Sequence, residues 1–283
     1  MRPERQSTVS LYGRSDSETG DVVAAPDPDD TATDTRREAV RSGRVPVAVY
    51  GLGKMGLPLA TVLAEATGNT VGVDIDESVV AAVDAGECPV TGEPGLDDAV
   101  EAVVADGALS ATADADAAAD RATVHVVIVP TLVESGSPDL TTLRAAVAAI
   151  ASGLDPGDLV CVESTVPPTT CAEIVEPELR EQSDCEGGEF GVAFCPERTS
   201  SGRALRDVRG AYPKIVGGVD PESTRAAVAL YREVTDAEVY PVADATTAEC
   251  VKVFEGVYRD VNIALANELA TVAEELGVDG HAA

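Results

Sequence analysis

The sequence predicts an α/β chain, with a mostly parallel, doubly wound sheet followed by one unusually long helix. Three observations carry this. From residue 45 onward, short Val/Ile-rich runs alternate with Ala-rich segments of helical period, as βαβ units require. The runs are apolar throughout instead of alternating, the pattern of strands buried on both faces. The segment 246–276 carries one apolar stripe, Val251, Phe254, Tyr258, Val261, Leu265, Leu269 and Val272, at three- and four-residue spacing. A helix of about thirty residues is roughly 45 Å long, more than one small domain needs, so it is expected to bridge domains or pack against a second subunit.

The elements follow in order. Residues 1–44 are rich in Ser, Thr, Asp, Arg and Pro, with no sustained apolar period, and "APDPDDTATDTRRE" typifies them; a disordered extension is expected. Strands are expected near 45–50, 70–75, 124–129 and 158–163, and helices near 55–66, 77–86, 96–106 and 140–152. "FGVAFC" (190–195), "KIVGG" (214–218) and "AEVYPV" (237–242) add strands, with helices at 169–182 and 221–234 between them, for a sheet of seven or eight strands. The division is a sheet domain over 45–242, then 243–283 as the long helix that opens a second unit.

Composition narrows the function. The chain is 45% apolar but 3% aromatic and without Trp, so Ala, Val, Leu and Ile build its core. Fifty acidic residues against twenty basic ones give −30, and three cations are lysines, Lys54, Lys214 and Lys252. Such a surface suits neither nucleic acid nor an anionic membrane, and dispersed acidity with few lysines suits a protein kept soluble in high salt. The six cysteines show no C-x-x-C spacing and read as free thiols of a cytoplasmic protein. The two histidines are His125, in an apolar run, and His281, which leaves no basis for a His-based metal site or triad. No apolar stretch reaches ~18 residues uninterrupted by charge, so no membrane span is expected.

The chemistry-bearing segments lie at strand ends. "GLGKMG" (51–56) places Gly51, Gly53 and Gly56 in a G-x-G-x-x-G between a strand and a helix. The first glycine permits a tight turn, the second a close approach of backbone N–H groups to a pyrophosphate, and the third close packing of helix on strand. "TVGVDID" puts Asp74 at the end of the second strand, where a carboxylate accepts ribose hydroxyls and repels a 2′-phosphate. A Rossmann-like NAD site is therefore expected, with Leu52 and Met55 counted in its cradle. "VIVPTLVESGSPDL" and "VCVESTVPP" set Thr131 and Thr165 where the ligand crevice of a doubly wound sheet lies; each also reads as a turn residue. "FCPERTSSG" puts Glu197 and Arg198 past another strand end, as a base or water-orienting acid beside an anion holder, or as a surface ion pair. Lys252 could stabilise an oxyanion or be a solvated helix charge.

Taken together, "GLGKMGLPLA", "VPT…SPDL", "ESTVPPTT", "CPERTSSGRAL…YPKIVGG" and "ECVKVFEGVYRDVNIALANELA" resemble, in order, the UDP-glucose/GDP-mannose dehydrogenase family over about 45–276. "YRDVNIALANELA" is closest to the subgroup that oxidises UDP-N-acetylmannosamine. The resemblance implies an NAD-dependent, two-step oxidation of a UDP-sugar primary alcohol to a carboxylate, through a thiohemiacetal on a cysteine. It implies cofactor positions at Gly51, Gly53, Gly56, Asp74 and Thr131, a water-positioning Thr165, a hydrolysis-assisting Glu197, an oxyanion-stabilising Lys252, and a homodimer through 246–276.

Several positions depart from the family. The asparagine usual four residues after the lysine is Gly256, an acid common in UDP-glucose members is Ser201, and "VPPTT" has Thr169 where a glycine usually follows the two prolines. None of the six cysteines stands in the family's glycine-rich cysteine motif, which lies in a C-terminal UDP-binding domain expected to be absent here. The expectation is a chain that binds NAD and dimerises without completing the reaction unaided. A non-catalytic NAD-binding remnant or subunit and a 3-hydroxyacid dehydrogenase-like enzyme are the alternatives.

Overall fold

The computed structural model describes residues 8–13 and 31–279. Helix α1 (Thr31–Arg41) precedes β1 (Val47–Tyr50), α2 (Gly56–Thr67), β2 (Thr70–Val73), α3 (Glu77–Asp84), α4 (Leu96–Ala105) and β3 (Leu109–Thr112). Then come α5 (Ala115–Arg121), β4 (Val124–Val127), an exposed hairpin of β5 (Leu132–Glu134) and β6 (Ser137–Asp139), α6 (Thr141–Gly153) and β7 (Leu159–Val162). A π-turn (Cys171–Val175) leads into α7 (Glu176–Gln182), followed by β8 (Gly191–Phe194), the short α8 (Ala204–Arg206), β9 (Lys214–Gly218), α9 (Pro221–Val234), β10 (Val239–Pro241) and α10 (Ala245–Glu275).

Eight strands form one sheet in the order β10-β9-β8-β7-β4-β1-β2-β3. All neighbours are parallel except β8 and β9. Five of the six inner strands, β1, β2, β4, β7 and β8, are buried at every residue, as their largely apolar runs require. The chain winds outward from β1 through β2 to β3, then returns to the other side of β1 with β4. That reversal opens a crevice beyond the carboxyl ends of β1 and β4. The core has two layers: α1, α2, α4 and α9 cover one face, and α5, α6, α7 and the first turns of α10 the other. No helix among the described residues is long and apolar enough to cross a membrane.

Parts of 1–44 are packed, against the expectation of a disordered extension. Leu11 and Tyr12 are buried, and the Tyr12 hydroxyl donates to Asp220 Oδ2 at 3.2 Å and Gly188 O at 3.3 Å. Helix α1 lies on α9, with Ala39 and Val40 buried and ion pairs from Arg36 to Glu222 and from Arg37 and Arg41 to Glu233. Long-range charge pairing holds a segment whose own sequence has little apolar content, so no local pattern reveals it. The rest of that expectation, residues 1–7 and 14–30, lies outside the described residues. Strand β3, helix α5 and the β5–β6 hairpin were also not expected.

Candidate functional site

The glycine loop is shaped by its own packing at two of its three glycines. Gly51 has φ +102°, and a Cβ there would lie 2.5 Å from Ile128 O. A Cβ on Gly56 would lie 1.9 Å from Gly51 O, so the first turn of α2 can sit on the loop only with glycine there. Gly53 differs: an added Cβ would meet nothing within 4 Å, and the residue is exposed. The fold does not require glycine at 53, whereas close approach of a ligand to the backbone does. The loop opens onto the N-terminus of α2, where the positive end of the helix dipole favours an anion.

Asp74 is held in place at the neighbouring strand end. Its Oδ2 accepts the Leu52 N–H at 2.8 Å and its Oδ1 the Asp76 N–H at 3.0 Å. The Leu52 side chain is fully buried and sits over Gly72, where an added Cβ would be 2.6 Å from it. Leu52 thus faces the crevice through its backbone, and its side chain belongs to the core. Sequence reasoning missed Ile75, which follows Asp74 and is 94% exposed. A large apolar side chain so placed gains nothing from burial on folding.

The loops after β4 and β7 are clipped together. Ser164 Oγ donates to Val129 O at 2.8 Å and accepts the Val129 N–H at 2.9 Å, while Thr131 Oγ1 donates to Thr165 O at 2.6 Å. Thr165 is exposed on this edge, so Thr131 and Thr165 flank the crevice as one unit.

Glu197 and Lys252 meet, although 55 residues separate them. Lys252 Nζ donates to the Glu197 carbonyl and lies 3.4 Å from Glu197 Oε2, with both side chains about four-fifths buried. The other carboxylate oxygen accepts the Thr199 hydroxyl at 2.7 Å, and that hydroxyl lies 2.9 Å from Met55 Sδ, tying this corner to the glycine loop. Arg198 lines the same cleft but is engaged there: it pairs with Glu255, donates to Pro213 O at 2.9 Å and lies over the Tyr212 ring, so it is an ion-paired strut. Gly256 lies one turn beyond Lys252, and a Cβ there would meet nothing within 4 Å.

Residues 45–235 match the NAD-binding domain of the UDP-glucose/GDP-mannose dehydrogenase family, and residues 246–283 match its central domain. The chain belongs to this family. An NDP-N-acetyl-D-galactosaminuronic acid dehydrogenase of Ralstonia solanacearum is 38% identical over 241 residues, 82% of this chain and 55% of that protein. A UDP-N-acetyl-D-mannosamine dehydrogenase of Methanococcus maripaludis is 37% identical over 238 residues, 82% of this chain and 52% of that protein. The solved UDP-D-ManNAc dehydrogenase of Pyrococcus horikoshii superposes with a TM-score of 0.79 at 35% identity, covering 84% of this chain and 56% of that one. The chain spans about half the length of the curated relatives it matches.

Acidic side chains that the sequence reading did not nominate hold the loops of the crevice. Glu93, 5% exposed, accepts the backbone N–H groups of Gly202 at 2.5 Å and Ala204 at 2.8 Å, bracing the segment that follows Glu197. Glu249, fully buried on α10, accepts those of Thr169 at 2.6 Å and Cys171 at 2.8 Å. Burial pushes its carboxyl above the ordinary value, more than these hydrogen bonds pull it down. Cys195, two residues from Glu197, is fully buried, and burial pushes its thiol well above the ordinary range. The same holds for Cys171, and the Cys185 thiol is pushed up to about 11. These thiols are packed as small apolar side chains.

Proposed function

We propose that this chain forms the NAD-binding and central-helix portion of a nucleotide-sugar 6-dehydrogenase, acting on UDP-N-acetylmannosamine or a related UDP-sugar. The observation that carries the reading is the meeting of Lys252 with Glu197 on the same sheet edge as the glycine loop. A bound NAD supplies the hydride acceptor for oxidation of the sugar alcohol. The loop of Gly51, Leu52, Gly53, Met55 and Gly56 would cradle its pyrophosphate, with the Leu52 N–H fixing Asp74 for the adenosine ribose and Thr131 and Thr165 on the opposite wall. The Lys252 ammonium, oriented by the Glu197 carbonyl and carboxylate, stabilises negative charge developing on the substrate oxygen, a contribution of ~3 kcal/mol for a well-aimed donor. Glu197 and Thr165 orient water for hydrolysis. The aldehyde must be captured by a thiolate, and the buried Cys171, Cys185 and Cys195 do not offer one.

The outer part of α10 supports the second half of the reading, a homodimer through 246–276. Phe254, Tyr258, Val261, Leu265, Leu269 and Val272 are each more than half exposed along one stripe, and a second copy presenting the same stripe would cover it.

Titration calorimetry of the purified chain against NAD tests the cofactor assignment. Binding is expected, with Asp74→Ala weakening it by about tenfold or more, and failure to bind would overturn the reading. Incubation with NAD and UDP-N-acetylmannosamine is expected to yield no uronic acid from this chain unaided; robust uronic acid formation would refute that expectation.

A further inference from the structure

We infer that Lys214 is a positioning residue for the Lys252–Glu197 centre, acting through the backbone of residues 195–197. The ladder between β8 and β9 consists of Ala193↔Gly218 and Phe194↔Gly217. Beyond it Cys195 and Glu197 keep backbone bonds to Val162 O and Glu163 O on the β7 side, and on the β9 side a side chain takes over from the strand. Lys214 Nζ donates to Cys195 O at 2.8 Å and to Pro196 O at 3.5 Å, and Lys252 Nζ donates to Glu197 O. Three consecutive carbonyls are thus held by two ammonium groups, one from β9 and one from α10.

Lys214 is itself fixed on every side. Its ammonium lies 2.7 Å from Glu163 Oε2 and 4.4 Å from the centre of the Tyr231 ring, and the Tyr231 hydroxyl donates to the other Glu163 oxygen. Glu163 and Tyr231 are almost wholly buried. A buried charge is tolerated only when paired and hydrogen-bonded, and a compact ammonium with three donors fits one carboxylate and two carbonyls converging from different directions. Glu163 in turn precedes Ser164, whose hydroxyl clips the β4 loop. One cation therefore couples the ends of β7, β8 and β9 to the position of Glu197. The lysine inventory agrees: two of the chain's three lysines serve this three-residue segment, in a protein that otherwise uses arginine. Glu163, Lys214, Tyr231, Glu197 and Met55 line one cleft, so a shift at Lys214 is felt across the whole corner.

This inference rests on reading Lys252 and Glu197 as the reacting centre, but its test needs neither substrate nor cofactor. The purified full chain is pulsed with formaldehyde and cyanoborohydride, and methylation is quantified at Lys54, Lys214 and Lys252 by peptide mass spectrometry. Exposed Lys54 is the internal standard. Lys214→Met, which keeps the stem and removes the donors, is expected to raise the Lys252/Lys54 rate ratio by about fivefold through local loosening. Lys214→Arg, which keeps charge and donors, is expected to retain most of the protection. Ile150→Val, in the α6 core, controls for general destabilisation and is expected to leave the ratio unchanged. If Lys214→Met loses cooperative unfolding, Glu163→Gln is measured instead, with about a twofold rise expected. An unchanged ratio in the folded variant, or one matched by Ile150→Val, would overturn the positioning role. A parent chain that fails to bind NAD in the separate calorimetry, beside a raised ratio in Lys214→Met, would overturn the dehydrogenase reading and leave the positioning role standing.

Discussion

The two halves of α10 share one helix and one apolar period, yet they are opposites in what surrounds them. In the first two turns, Ala245, Ala248 and Glu249 are buried against the sheet domain, Asp244 caps the helix by accepting the Thr247 N–H at 2.6 Å, and Lys252 reaches Glu197. From Phe254 on, the stripe continues as exposed Tyr258, Val261, Leu265, Leu269 and Val272. Gly256 stands at the border. The contrast shows that periodicity reports which side chains favour burial without naming what buries them; in the first half the partner is this chain's own sheet.

Breaking the outer half should give the larger effect. Leu265→Lys puts a charge in the middle of the exposed stripe, and at the core of an interface an unpaired charge is strongly unfavourable. Sedimentation equilibrium is expected to show a dimer for the parent chain and a dimerisation Kd raised by about 100-fold or more in the variant. Far-UV circular dichroism should be unchanged. A parent chain that is monomeric at tens of micromolar would dissolve the contrast.

Breaking the seated half comes next. Glu249→Ala leaves the amides of Thr169 and Cys171 without their acceptor in a buried place, at a cost of about 2–3 kcal/mol read from urea unfolding. Its pH dependence has a definite sign. Because burial raises the folded carboxyl above its ordinary value, the folded state holds a proton that the unfolded state has released. The stability Glu249 contributes is therefore full below the ordinary carboxylate value and falls as pH rises through the folded one. Glu249→Gln, which cannot titrate, should remove that decline, and the parent-minus-variant difference across pH is the measurement.

The same contrast explains what the sequence made legible. The inner strands were readable because burial on both faces demands unbroken Val/Ile runs. Strand β3, "LSAT", buries only Leu109, and the β5–β6 hairpin is almost fully exposed, so neither leaves an apolar signature. Helix α5 is seven residues of Ala, Asp and Arg, too short to establish a period. Helix α1 is held by arginines reaching α9, a tertiary fact. At the site, glycine spacing and strand-end position nominated Gly51, Gly53, Gly56, Asp74 and Glu197, while the role of Lys252 came from the family resemblance. Glu163, Lys214, Glu93 and Glu249 were not nominated, because the groups they accept from or donate to lie far away in sequence, and residue spacing does not encode that.

The smallest effects test the two family departures that flank the border of α10, and they should have opposite signs. Gly256 is helical, and a Cβ there meets nothing within 4 Å, so Gly256→Ala should stabilise by ~1 kcal/mol through helix propensity. Thr169 sits at φ +78°, the left-handed region where a β-branched residue is strained. Its backbone N–H is anchored by Glu249, which keeps the turn in that shape. At an ordinary position glycine is less stable than alanine by roughly 0.5–1 kcal/mol. At 169 the order should invert, with Thr169→Gly more stable than Thr169→Ala by ~1 kcal/mol, because only glycine escapes the Cβ clash. Chemical denaturation of the two variants side by side decides it. If alanine proves the more stable, the turn does not hold its left-handed geometry, and Glu249 seats α10 on something other than a strained loop.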